Sequence, residues 1–328
     1  MRLPALLVLS TLPASAVCGL PRPVHTYSIV ARDPATGEMG AAVQSHWFSV
    51  GSLVLWGEAG VGVVATQSFV DPAYGPAGLE LLKAGRTAPD ALRGLVASDP
   101  REGIRQVAMV DAAGNAAAHT GSGCIPEAGH AVGNGYSVQA NLMLHPTVCS
   151  AMARAFETAQ GDLALRMLAA LEAAEAEGGD IRGRQSAAIL IVRGRATGRP
   201  WEDRVMDLRV EDHPDPLVEL RRLADLHRGY ERMNAGDRAL ESGRIPQARR
   251  EYAEADRLLG GNPEAVFWHA VALVNAGLIE ESIPLFRQCF VNDTRWATLL
   301  RRLPGAGVLK ANEEVLDRIL IAVPRPGR

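Results

Sequence analysis

Polar side chains recur where predicted strands begin or end, and these residues are the best placed in the chain to do chemistry. Thr26 opens the first predicted strand, and Ser45 and His46 follow the second. Hydroxyl, imidazole, amide and carboxylate groups in such places can orient a substrate or accept a proton. The further candidates of this kind are Thr66, Gln67, Ser68, Asn141, Asp180, Arg182, Gln185 and Ser186.

Each of these candidates also has a purely structural interpretation. His46 fits a hydrogen-bonded turn, and the polar run 66–68 fits side chains that satisfy the last carbonyls of a strand. Asn141 is either an oxyanion donor or a helix cap. Asp180 and Arg182 form either an ion pair that steadies a nucleophile or grips a substrate carboxylate, or a plain turn with the arginine in solvent.

Several common kinds of site have no motif in this sequence. Gly57, Gly60 and Gly62 lack the following Lys-Ser or Lys-Thr pair of a phosphate-binding loop, and no Gly-x-Ser-x-Gly elbow occurs. The four cysteines show no CxxC spacing, so we expect no structural metal and no cofactor. Cys124 and Cys149 could pair outside the cytoplasm or remain buried free thiols, and the sequence leaves both open.

Composition narrows the classes of partner. The 34 basic and 37 acidic side chains nearly cancel and no basic stretch is concentrated, so nucleic acid is not an expected partner. No segment approaches 18 consecutive apolar residues, so we do not expect a membrane-embedded protein.

The first 16 residues have the order of a secretory signal: Arg2, an apolar stretch from Leu3 to Leu12, and small residues up to Ala16. They predict cleavage after Ala16 and a secreted or periplasmic protein. The alternative is a start codon assigned too far upstream. A lipoprotein based on Cys18 is disfavoured, because the residues before it do not fit the acylation pattern.

Hydrophobic periodicity places the candidates on a mixed α/β (α+β) domain. Strands are predicted at 27–31, 39–43, 52–56, 60–66, 105–110, 116–120 and, closing the domain, 186–192. Helices are predicted at 78–84 and 88–98, and over 147–177 with a break near 161–162. This order suits two stacked sheets between helical layers.

A smaller all-α domain follows. Pro214 and Pro216 forbid continuous helix, so the boundary is predicted there, between domains at 25–211 and 217–322. In the second domain Gly243, Ile245, Ala248 and Tyr252 recur 34 residues later as Gly277, Ile279, Ser282 and Phe286, which is the period of a tetratricopeptide helix pair. The segments 217–230 and 312–321 are the predicted capping helices.

Five segments of the first domain resemble a bacterial family, the domain of unknown function 1028. They are 25–33, 44–48, 65–68, 74–76 and 178–187. The family is described as similar to N-terminal-nucleophile hydrolases, and its members often carry a tail labelled a putative peptidoglycan-binding region. The resemblance therefore implies a four-layer αββα sandwich of that hydrolase type.

It also implies a chemistry in which Thr26 attacks an amide carbonyl while its own free α-amine takes the hydroxyl proton. Asn141 and Asp180 would assist, and the other candidates would bind substrate. Cleavage after Ala16 leaves nine residues, Val17 to His25, in front of Thr26, so a second cut is required. If that cut does not occur, the domain works differently or not at all. The structural interpretation is that Thr26 is a β-branched residue that begins a strand.

Two functions follow from these observations. The first is an exported hydrolase of a peptide or small amide. The second is a non-catalytic binding protein, in which the first domain is a retired hydrolase scaffold and the helical tail binds a peptide or cell-wall fragment. The tail could also serve only to pack against the first domain. Related folds often assemble, so a homo-oligomer is a further expectation.

Overall fold

The structure is a computed structural model that describes Val24 and residues 26–321. The predicted signal segment 1–16, Cys18, His25 and the predicted domain end at 322 lie outside the described residues. No helix in the described part of the chain is both long and apolar enough to span a membrane.

Ten strands and eleven helices follow one another along the described chain. The strands are β1 Thr26–Arg32, β2 Met39–Ser45, β3 Leu55–Glu58, β4 Gly62–Ser68, β5 Arg105–Asp111, β6 Ala116–Thr120, β7 Gly129–Gly133, β8 Tyr136–Ala140, β9 Ser186–Val192 and β10 Arg204–Val210. The helices are α1 Gly51–Val54, α2 Tyr74–Lys83, α3 Ala88–Ser98, α4 Val148–Thr158, α5 Leu163–Ala176, α6 Pro216–Glu241, α7 Ile245–Leu259, α8 Pro263–Asn275, α9 Ile279–Asn292, α10 Arg295–Arg302 and α11 Glu313–Leu320.

The strands form two antiparallel sheets. The six-stranded sheet has the order β10-β9-β2-β1-β8-β7, and the four-stranded sheet has the order β3-β4-β5-β6. The predicted mixed α/β fold with a helical region after it is therefore confirmed at this level.

Side chains alternate between the two faces of each strand, which explains where the cores lie. On β1, Tyr27 and Ile29 join a cluster with α4 and α5, whereas Val30 joins an inter-sheet cluster with residues of β4 and β5. On β4, Val64 packs instead with α2 and α3. Each sheet thus buries one face on the other sheet and one face on a helix pair.

The main differences from the predicted elements have identifiable causes. The predicted strand at 52–56 is wrong in its first half, because residues 51–54 form the short helix α1 and only β3 continues as strand. The prediction that β9 closes the domain is also wrong, since β10 pairs with it. β10 escaped prediction because its outer positions are charged, as expected of an edge strand, for example Arg204 and Asp207.

The predicted break in the long helix is present. α4 ends at Thr158, Gly161 has a φ of 111°, and the Asp162 carboxylate accepts from the Leu165 backbone N–H to begin α5. A residue with a side chain would be strained at that φ. The two helices therefore cover the same sheet face as an antiparallel pair.

The predicted capping segment 217–230 is the first half of one long helix, α6, which begins at Pro216. Leu217 and Leu220 pack with α5 in the first core, whereas Met233 and Leu240 pack with α7 and α8. The same helix thus contributes to the hydrophobic cores of both regions.

The helical region repeats its geometry. α7 and α9 begin at Ile245 and Ile279, 34 residues apart, each after a glycine with positive φ, 70° at Gly243 and 79° at Gly277. The paired positions Ala248 and Ser282, like Tyr252 and Phe286, are all buried. The helices α7 and α9 therefore bury equivalent faces.

The stability of this helical region is expected to fall in acid because of His269. Its ring stacks on Tyr252 with centroids 3.7 Å apart, and burial lowers its pKa to about 4. An unfolded histidine has a pKa of about 6.5, so the neutral ring stabilises the fold above that pH. This contribution, at most about 3 kcal/mol, is lost as the pH falls from about 6.5 to 4.

Urea unfolding of the full chain at pH 7 and pH 5 measures the effect. The His269→Phe variant keeps the stacking but cannot take up a proton. The difference in unfolding free energy between pH 7 and pH 5 should therefore be smaller in this variant. Parallel losses in the parent and the variant would show that other groups cause the acid sensitivity.

Candidate active site

Three hydroxyl side chains lie in one row across the end of the six-stranded sheet. Thr26 of β1 pairs with Ser45 of β2, and Ser45 pairs with Ser186 of β9. Residues paired across a sheet share one face, so all three side chains point toward the four-stranded sheet, and all three are fully buried. The row explains how residues far apart in sequence come to one place.

Two amide side chains contact Thr26 through its backbone. The Asn141 backbone N–H donates to the Thr26 carbonyl at 3.1 Å, and its side-chain Nδ2 lies 3.4 Å from the same oxygen. Gln67 of β4 reaches this carbonyl from the opposite sheet, with its Nε2 at 3.2 Å. Asn141 and Gln67 were both sequence candidates, and both lie beside Thr26.

The row borders a buried amide network between the two sheets, which sequence reasoning missed. Gln67 Nε2 donates to Gln106 Oε1 at 2.6 Å, and Asn141 Nδ2 donates to the same oxygen at 2.8 Å. Ser28 Oγ donates to Gln67 Oε1 at 2.6 Å and accepts from Gln139 Nε2 at 2.5 Å. The available signal was a glutamine inside each of three strands, Gln67 of β4, Gln106 of β5 and Gln139 of β8.

Asp180 forms a second group with His46 and Arg182. The Asp180 carboxylate is fully buried and accepts from Arg182 Nε at 3.0 Å and Nη2 at 2.7 Å. It also accepts from the His46 backbone N–H at 3.1 Å. The predicted ion pair is therefore present, and it fixes the segment that leaves β2 directly after Ser45.

The loop that carries Asp180 is tied to the same strand ends. The Gln185 backbone N–H donates to the Ser45 carbonyl at 3.1 Å, and its side chain donates to Asp212 at 3.1 Å.

Tyr27 OH donates to Glu175 at 2.6 Å on the helix-facing side. Burial, and then the Glu175 carboxylate, raise the pKa of Tyr27 well above its ordinary value, so this hydroxyl stays protonated.

Thr66 and Ser68 differ from the other candidates. Thr66 points to the face of β4 that also carries Val64, and its hydroxyl donates to the Asp71 carbonyl at 3.2 Å. The structure therefore does not bring Thr66 to the row. Ser68, at the end of β4, forms an isolated antiparallel bridge with Val24.

Val24 lies against the Thr26 end of the row. Thr26 Oγ1 donates to the Val24 carbonyl at 2.9 Å, and Thr26 is 0% exposed. In this form its nitrogen belongs to a peptide bond, so it cannot act as a base. Chemistry that uses the Thr26 α-amine as its base would require a cut directly before Thr26.

The thiols offer no alternative nucleophile among the described residues. Cys124, Cys149 and Cys289 are free, and burial raises the pKa of Cys149 and of Cys289 to about 11. A thiol in such a state is almost wholly protonated near neutral pH, and the thiolate is the reactive form.

Within residues 26–321, no group of three His, Cys, Asp or Glu side chains is arranged to hold a metal ion.

Comparison with known proteins assigns the chain to a described family. A family model described as "Family of unknown function (DUF1028)" matches residues 26–220, more than half of the 328 residues. The crystal structure of protein SPO2555 from Silicibacter pomeroyi, with the same family label, is 32% identical, with a TM-score of 0.55 over 61% of this chain and 88% of the other. A search of curated proteins found no match.

Proposed function

We propose, from the premise that this chain belongs to the DUF1028 family of unknown function, that it is an exported amide hydrolase whose nucleophile is Thr26. The observation that carries the proposal is the position of the Thr26 hydroxyl. It opens β1 in a buried polar row between two sheets, and the family match begins at the same residue.

The order of layers supports the resemblance to N-terminal-nucleophile hydrolases. Separate apolar clusters join α4 and α5 to the six-stranded sheet, the two sheets to each other, and α2 and α3 to the four-stranded sheet. This succession supports the proposed αββα sandwich. A shared fold alone does not establish a function, which depends on the side chains of the site.

The reaction requires a cut between His25 and Thr26, after which the Thr26 α-amine is free. That amine has an ordinary pKa of about 7.7 to 8, so near neutral pH it can take the hydroxyl proton. Oγ1 then forms an ester with the substrate carbonyl carbon, and the C–N bond breaks as the amine product takes the proton. Water hydrolyses the ester to a carboxylic acid and restores the hydroxyl.

Neighbouring side chains have roles that fit their positions. The amide of Asn141 lies beside the Thr26 backbone and is proposed to donate to the oxyanion. Asp180 is a positioning residue, because it holds the backbone of His46 next to Ser45. Ser45, Ser186 and Gln67 line the site, with His46, Ser68, Arg182 and Gln185 at its edge, and Thr66 has no part in it.

Covalent trapping tests the proposed nucleophile. The exported protein is incubated with an acyl β-lactone, which leaves its acyl group on an activated hydroxyl, and the modified peptide is located by tandem mass spectrometry. We expect one acyl group on the peptide that begins at Thr26, and none on Thr26→Ala. An adduct only on another residue would contradict the assignment.

The helical region favours a second, binding function. A groove of about 670 Å³ in this region is lined by residues of α6 and α8 and by the segment before α11, among them Asp237, Glu241, Trp268, Asn275 and Lys310. An aromatic side chain between acidic groups and a lysine suits a peptide or cell-wall fragment. Calorimetric titration with muropeptides is expected to show binding that Trp268→Ala weakens. Equal heats of binding in the parent and the variant would reject this groove as the binding site.

A further inference from the structure

Val24 belongs to the segment before Thr26 that the proposed cut removes, here called the leader. It is held by the main chain of the four-stranded sheet. Its N–H donates to the Ser68 carbonyl at 2.6 Å, and the Ser68 N–H donates back to the Val24 carbonyl at 2.9 Å. This pair of bonds is the complete hydrogen-bonded bridge of an antiparallel sheet. Val24 therefore lies as one residue of an added strand beside the end of β4.

The Val24 side chain is also buried. It is 1% exposed and packs in the inter-sheet cluster, which includes Val43, Val50 and Ala65. Position 24 thus combines an apolar pocket with two backbone hydrogen bonds. Both features recognise a peptide residue, and neither is needed to recognise a simple primary amide.

Removal of the leader empties this place. The N–H and carbonyl of Ser68 then lose their partners at a site that is buried in the full chain. An incoming chain that pairs with them restores both backbone bonds, and an apolar side chain at that residue fills the pocket of Val24. The hydrogen bond from Thr26 Oγ1 to the Val24 carbonyl shows that this place lies next to the proposed nucleophile.

We propose that the emptied place of Val24 binds the substrate residue two positions before the scissile bond. The substrate is then an extended peptide, whose acyl side contains at least two residues and whose second residue from the cut is apolar. This inference rests on the proposed function and narrows it, because a small amide would leave Ser68 unpaired. Recognition by strand addition is a general mode in which main-chain bonds give affinity and pockets give side-chain selectivity.

Three probes that release aminomethylcoumarin test the inference on the exported protein cut before Thr26. Acetyl-Val-His-aminomethylcoumarin copies the leader, its N-methylvaline form lacks the donor to Ser68, and acetyl-His-aminomethylcoumarin lacks the residue altogether. We expect kcat/KM to fall about tenfold for the N-methyl probe and about 100-fold for the short probe. Equal turnover of all three would overturn the inference and leave the proposed hydrolase intact.

A binding measurement separates the two proposals if no probe is cleaved. Hydrogen exchange at the Ser68 amide is followed with and without acetyl-Val-His-amide. Slowed exchange without turnover would support the peptide site and reject the hydrolase, whereas unchanged exchange would overturn the peptide site. An exported chain that still carries Val24 would overturn both proposals together.

Discussion

Replacement of Thr26 by alanine is expected to abolish amide hydrolysis, with a loss of at least about 10³-fold in kcat/KM. The reason is that the change removes the only atom proposed to attack the carbonyl. The fold should survive, because even in the uncut chain the side chain contributes one hydrogen bond and one methyl group, about 1–2 kcal/mol of unfolding free energy. Turnover of a peptide anilide and urea unfolding measure the two effects separately.

Thr66→Ala is the matched control. Thr66 is another fully buried strand threonine with one hydrogen bond to a backbone carbonyl, but it faces α2. The Thr66→Ala variant should lose a similar amount of unfolding free energy and keep nearly full activity. The Thr26→Ser variant should keep partial activity through its own hydroxyl. Retained turnover in Thr26→Ala, or equal losses in both alanine variants, would reject Thr26 as the nucleophile.

Replacement of Gln106 by leucine is expected to lower the unfolding free energy of the first domain by about 3–5 kcal/mol. The Gln106 amide oxygen accepts from Gln67 and Asn141, and its nitrogen donates to the carbonyls of Gly129 at 3.1 Å and Ala140 at 2.9 Å. Leucine fills a similar volume but removes these four hydrogen bonds from the buried space between the sheets.

Urea unfolding of the full chain checks this expectation. Gln160→Leu is the control, because Gln160 is exposed and its one side-chain bond goes to a residue two positions away. We expect a change within about 0.5 kcal/mol there. A Gln106 variant as stable as the control would show that the inter-sheet network does not stabilise the fold.

The elements that the sequence predicted well are those with strong local patterns. α3 and β9 have the predicted bounds, since α3 begins with Thr87 as an N-cap and β9 is a continuous apolar run. β7 and β8 were missed although they pair with each other across the two-residue turn Asn134-Gly135, and β8 also pairs with β1, about a hundred residues earlier in the chain. An Asn-Gly pair between two short strands is a local hairpin signal, which the sequence analysis did not use.

The sequence predicted which residues belong to the candidate site better than it predicted how they are arranged. Thr26, Ser45 and Ser186 were proposed from strand ends, and the register places them in one row. Thr66 was included because the sequence does not say which face of β4 is inward. Gln106 was missed because a glutamine inside a strand becomes informative only when its partners on the opposite sheet are known.

The proposed chemistry requires one residue to hold both a hydroxyl and a free α-amine at the head of β1, and the intact mass of the exported protein reports whether it does. We expect a mass that corresponds to a chain beginning at Thr26. A chain that begins at Val17, or at any other residue before Thr26, would contradict it.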